Sequence, residues 1–136
     1  GETLAYKIMR AHLVEGIQER IDHIKINGHP KKRLPHLLNV SVGYVEGESM
    51  LLFLSEEGIA VASGSACTSV TLKASHVLTA MGVTPDMAQG SLLFSLGREN
   101  TDEDVDYVLE KLPPIVDRLR AMSPLYQKAL NGEAKA

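Results

Sequence analysis

Two short runs place an apolar residue at every second position, and both are hemmed in by long stretches of helical period. "LLNVSVGYV", residues 37–45, sets Val40, Val42 and Tyr44 on one face and Asn39, Ser41 and Gly43 on the other. "SLLFSLG", residues 91–97, alternates Leu92, Phe94 and Leu96 with Leu93 and Ser95. Period two predicts strands, and strands this short need partners and a cover. The cover is legible as well. Leu4, Ile8, Ala11, Val14, Ile17, Ile21 and Ile24 recur every three or four positions, which predicts a helix of about 20 residues with one buried face, capped by Thr3. Asn27-Gly28 reads as a turn, and Pro30 ends any helix before it.

Met50 to Leu54 is apolar on all sides, so a buried short helix stopped by Gly58 is expected. "IAVA", residues 59–62, reads as a third short strand. Ala74, Val77, Leu78 and Met81 keep helical spacing, with Thr71 as cap and Gly82 as stop, and a turn follows through Gly90. Thr101 with Asp102, Glu103 and Asp104 opens a further helix, placing a hydroxyl cap and three acids at the positive end of the dipole. Its stripe is Val105, Val108, Leu109 and Leu112. Pro113-Pro114 is expected to break or kink it before Ile115, Val116, Leu119 and Met122 resume the pattern. Ser123-Pro124 reads as the cap and first residue of a last short helix, with "NGEAKA" fraying. The expected fold is a small sheet covered by helices: α/β in the two-layer sense, or α+β if the strands run antiparallel.

The chain has 136 residues, enough for one domain with a core. A net charge of −3, with Lys31 to Arg33 as the only basic cluster, argues against nucleic acid. No apolar run nears the roughly 20 residues that span a bilayer, and the opening residues read as amphipathic helix rather than signal peptide. The chain begins at Gly1 and enters helix almost at once, which is the expectation for a piece of a longer protein.

A single cysteine, Cys67, lies in "VASGSACTSVT" among serine, glycine and alanine. One cysteine cannot close an internal disulfide, so a reducing, cytoplasmic setting is expected. A thiol is the strongest nucleophile among ordinary side chains, and small neighbours permit the backbone excursions that could carry it between two places. A tolerated surface cysteine explains the same letters equally well. Arg98, just past a strand, is placed to grip a carboxylate with two parallel hydrogen bonds, or to pair with Glu99 or Asp102. His12, His23, His29, His36 and His76 are scattered, without the spacing of a metal site.

With these segments in view, "LLNVSVGYVEGESMLLFL", "GIAVASGSACTS", "SHVLTAMG", "SLLFSLGRENTDEDVDYV" and "MSPLY" resemble, in order, the C-terminal small domain of group I cysteine desulfurases, the NifS/IscS type. The resemblance runs over nearly the whole chain. It implies the small domain of a fold-type I aminotransferase-like enzyme, with residues 1–136 closing over a large domain, absent from this chain, that binds pyridoxal 5'-phosphate through a lysine. It also implies that L-cysteine is converted to L-alanine while a persulfide forms on Cys67, which then passes sulfur to an iron–sulfur scaffold or other acceptor protein. Cys67 would take the persulfide role and any contact with an iron–sulfur centre during transfer, and Arg98 would hold the substrate carboxylate. A homodimer is expected for the full enzyme.

The chain departs from the family where arginine is frequent and Leu93 stands, and where an acid-proline pair is frequent and Lys73-Ala74 stands. Alone, the chain is expected to be inactive. The competing reading is a non-enzymatic sulfur-relay or docking module on the same fold.

Overall fold

A computed structural model of the chain describes residues 2–28, 34–63 and 90–135. The order is α1 (Glu2–Arg20), β1 (Ile24–Asn27), β2 (Leu37–Val42), α2 (Gly47–Glu56), β3 (Ala62–Ser63), β4 (Ser91–Ser95), α3 (Asp102–Ala121) and α4 (Pro124–Lys135). The strands form one sheet in the order β1-β2-β4-β3, and every pairing is antiparallel. The antiparallel ladder settles the fold class as α+β. The helix expected at 74–81 lies outside the described residues.

Register explains how the sheet is covered. Residues directly opposite each other across an antiparallel pair share a face. Ile26, Val40 and Leu92 stand in one row, and Leu38 faces Phe94 in the next. These side chains meet Leu13 and Ile17 of α1, Met50 and Leu54 of α2, and Leu109, Leu112 and Val116 of α3 in one core. The opposite face carries Asn27, Asn39, Leu93 and Ala62 in a row.

Helix α1 has the expected length but a different buried face. Leu4 and Ile8 are 60% and 56% exposed, whereas Met9, Leu13 and Ile17 are in the core. Gly16 lies on the buried side, against α3. A Cβ there would stand 2.3 Å from the Leu109 side chain, so glycine lets α3 approach where a side chain would hold it off. Ile24 belongs not to α1 but to β1, an edge strand the sequence reading missed. Tyr44 likewise falls beyond β2, which ends at Val42.

Helix α2 is buried through Met50 and Leu54, yet Leu52 is 61% exposed, so an all-apolar run did not require burial on every side. Gly58 stops the helix as expected. It takes φ +80°, its N–H donates to Ser55 O, and the Ile59 N–H donates to Leu54 O. This is the Schellman pattern, and it buries Ile59 against Leu54. "IAVA" is strand only at its end, since the β3 ladder begins at Ala62.

Helix α3 runs unbroken through Pro113 and Pro114. Each proline lacks the N–H that would reach Leu109 O or Glu110 O. The helix persists because Val105, Leu109, Leu112 and Val116 are buried on both sides of the pair. Ser123 caps α4, its Oγ accepting from the Tyr126 N–H at 3.3 Å. The helix continues to Lys135 instead of fraying at Asn131.

One buried cation ties the far end together. Arg120 of α3 donates to Gly43 O at 3.1 Å and to Asp22 O at 2.6 Å. Its guanidinium also lies 5.4 Å from the Tyr126 ring centroid. Burial is the main influence and lowers its pKa; Tyr126, Asp117, Asp22 and Tyr44 oppose the shift. The carbonyls it reads belong to the turns where His23 and Tyr44 take positive φ, with their rings edge to face at 5.4 Å. His23 therefore lies beyond α1, which ends at Arg20.

Candidate active site

Strand β4 leads into Arg98 at one end and, at the other, meets the described residues that flank the segment holding Cys67. At its C-terminal end the Leu96 N–H donates to His36 O at 2.8 Å, holding the strand exit against the start of β2. The chain then turns sharply. The Gly97 N–H donates to Asn100 Oδ1 at 2.6 Å, and the Asn100 N–H donates back to Gly97 O at 3.1 Å. Arg98 and Glu99 form the tip of this turn, and both are exposed.

The turn is stapled to α3. Asp104 Oδ2 accepts from the Thr101 N–H at 2.9 Å and from Asn100 Nδ2 at 3.3 Å. Thr101 Oγ1 accepts from the Asp104 N–H, completing the capping box expected from sequence. The bond from the Thr101 backbone, helped by Asn100, holds the Asp104 carboxyl below the usual range. Arg98 is thus presented on a fixed loop whose neighbouring carboxylate stays charged.

The other end of β4 anchors the segment that contains Cys67. Cys67 itself lies outside the described residues, as does His76. The strand leading to it, β3, ends at Ser63, which pairs with Leu92. The chain comes back at Gly90, whose carbonyl accepts from the Val42 N–H at 3.1 Å. A Cβ at Gly90 would lie 2.1 Å from Val42 O and 2.7 Å from Val45 O, so only glycine fits against that backbone. Both feet of the cysteine segment therefore stand at the start of β4, while Arg98 follows its end.

Leu93 lies between them, on the face opposite the one that meets α1, α2 and α3, beside Asn39 and Ala62. That face carries a polar cluster no sequence pattern announced. Asn27 Nδ2 donates to Ser41 Oγ at 2.7 Å and to Asn39 Oδ1 at 3.1 Å, and the Ser41 and Ser91 hydroxyls lie 3.1 Å apart. Alternation marked Asn39 and Ser41 as sharing a face; Asn27 read as a turn residue because β1 was not foreseen. The histidines proved structural where described. His12 Nε2 lies 2.9 Å from Asp106 and its Nδ1 3.5 Å from Asp102, linking α1 to α3. Among the described residues, no group of three or more His, Cys, Asp or Glu could hold a metal ion.

A model of class V aminotransferases matches residues 5–108. The chain belongs to the class V aminotransferase family. Within that family it is 50% identical over 120 residues to the cysteine desulfurase IscS 1 of Archaeoglobus fulgidus, covering 88% of this chain and 31% of the relative. It is 52% identical over 120 residues to the cysteine desulfurase IscS of Methanosarcina thermophila, covering 88% of this chain and 30% of the relative. The solved NifS-like protein from Rickettsia africae superposes with a TM-score of 0.70 at 25% identity, over 85% of this chain and 29% of that one. The chain thus spans about 30% of the length of the curated class V relatives it matches.

Class V aminotransferases use pyridoxal phosphate. The residues described here do not fit that group. Lys111 is engaged with Glu57 at 3.7 Å and lies 5.6 Å from the Tyr107 ring centroid, Lys25 is half-buried in edge strand β1 with a partner of its own, and Lys7 and Lys128 are exposed on the surface.

Proposed function

We propose that this chain is the part of a cysteine desulfurase that carries the sulfur nucleophile. The observation that carries the reading is identity of 50% and 52%, over 88% of the chain, with proteins named cysteine desulfurase. The anchoring of the cysteine segment supports it. A thiol that must meet a buried substrate and then an acceptor needs a movable reach from a fixed base. Cys67 follows Ser63 by four residues, a reach of at most about 14 Å. Arg98 follows Leu92 by six residues, at most about 20 Å along the chain. With its own side chain added, the arginine can engage the carboxylate of a substrate whose sulfur meets Cys67.

The reaction balances without an external oxidant. The carbon–sulfur bond of L-cysteine breaks, a sulfur–sulfur bond to Cys67 forms, and the carbon takes a proton to give L-alanine. Pyridoxal phosphate, which residues outside this chain would hold, would supply the electron sink for that bond cleavage. Cys67 Sγ acts as nucleophile in its thiolate form. Arg98 orients the substrate carboxylate with paired hydrogen bonds. The persulfide is then passed to an acceptor, an iron–sulfur scaffold among them, in a reducing compartment and from a homodimeric enzyme.

The test is made on this chain combined with the cofactor-binding part. L-cysteine should yield alanine and a mass gain of one sulfur atom on this chain, and the chain alone should yield neither. Cys67→Ser should abolish the gain, and a sulfur adduct that persists in that variant would overturn the assignment. Arg98→Ala should raise KM for cysteine about 10- to 100-fold with less effect on kcat, and Arg98→Lys should recover part of the loss.

A further inference from the structure

We propose that the cleft between residues 58–61 and the first turns of α3 docks a partner protein that presents an apolar side chain flanked by lysine or arginine. The inference goes beyond the desulfurase reading and uses neither Cys67 nor a cofactor. The cleft exists because β3 pairs with β4 only at Ala62–Leu93 and Ser63–Leu92. Upstream of Ala62 the chain departs from β4, coming from the Gly58 stop of α2. The gap holds about 220 Å³. Sites for whole small molecules run from roughly 300 to 1,000 Å³, so this volume matches a single side chain.

Its chemistry selects the occupant. Leu13, Ile59, Val61, Phe94, Val105 and Val108 supply the apolar part of the lining, beside the polar Ser95, Asn100, Asp104 and Tyr107. Asp104 stands at the rim, and its carboxyl is kept ionised by the Thr101 N–H and Asn100. Glu57, whose carbonyl accepts from Tyr107 of the lining, and the exposed Glu99, next in the chain to Asn100 of the lining, add further acids beside it. Of the nearby cations, Lys111 lies 3.7 Å from Glu57, and Arg98 at the tip of the turn has a partner of its own. An anionic ligand is repelled by such a rim. A purely apolar ligand would strip water from Asp104 without compensating it. An apolar anchor next to a cation satisfies both, filling the walls and pairing with the rim.

The probe is the peptide acetyl-Gly-Lys-Lys-Leu-Lys-Lys-Gly-amide, titrated into the full chain and followed through methyl resonances. Shifts should concentrate on Val105, Val108 and Val61. Serine in place of the peptide leucine, or glutamate in place of its lysines, should each weaken binding at least about tenfold. Ala60→Trp fills the mouth from an exposed position and should abolish binding, with the Val40 resonance unchanged as proof of folding. Glu99→Lys, which reverses an exposed charge next to Asn100 of the lining, should weaken binding and lower its salt dependence. Equal binding of all three peptides, shifts outside the cleft, or full binding by Glu99→Lys would overturn the proposal. So would self-association of the chain that Ala60→Trp abolishes, because the cleft would then serve a second copy.

Discussion

Single residues fix geometry here by what they lack. Gly90 shows this most directly, because the atoms in the way are backbone carbonyls of Val42 and Val45 that no rotamer change can move. Gly90→Ala is expected to cost about 2–3 kcal/mol, read from chemical denaturation, through overpacking against main chain. A cost below about 0.5 kcal/mol would mean that the β2–β4 crossing yields easily. Arg120 works by the opposite principle. Its buried guanidinium reads carbonyls from two separate turns, which a neutral residue of equal volume would leave without donors.

Elements carry the compromise between local preference and packing, and α3 is the clearest instance. Two adjacent prolines remove two helix bonds, yet the helix continues because burial on both sides outweighs their loss. Pro114 is exposed, so Pro114→Ala should restore a helix bond and improve propensity without disturbing the core. Stability is expected to rise by about 1 kcal/mol, after allowing for the unfolded-state rigidity that proline contributes. Thermal unfolding followed by circular dichroism checks this, and an unchanged or lower midpoint would show that the proline is selected for its shape. The α1–α3 contact follows a related logic: the Gly16–Leu109 approach sets the spacing, and the exposed His12–Asp106 pair adds at most a modest increment.

Over the whole molecule, stability is uneven. The core draws on α1, α2, α3 and the sheet, but no described residue of α4 is fully buried. The hold on α4 is local: the Ser123 cap and the Tyr126 ring, 5.5 Å from Tyr44 and over Arg120. Backbone amides of α4 should therefore exchange with solvent faster than those of α1 and α3, by about 100-fold or more. Equal protection in all three helices would show that α4 opens only with the global unfolding of the chain.

Much of this architecture was readable as periodicity. Alternation located β2 and β4, a threonine with acids three residues on located the start of α3, and Gly58 located the end of α2, because each depends on neighbours in the chain. The resemblance in the cysteine segment, the turn at Arg98 and the final "SPLY" likewise lay in contiguous letters. What the letters could not report depends on partners distant in sequence. Which side of α1 is buried is decided by its packing on α3, where Gly16 meets Leu109, and Leu4 and Ile8 are exposed. Strand β1 exists because β2 offers it a ladder, and the prolines of α3 are tolerated because a core forms around them. Local chemistry chooses among backbone conformations worth about a kilocalorie each, whereas burial against remote segments is worth several, so tertiary contacts prevail wherever the two disagree.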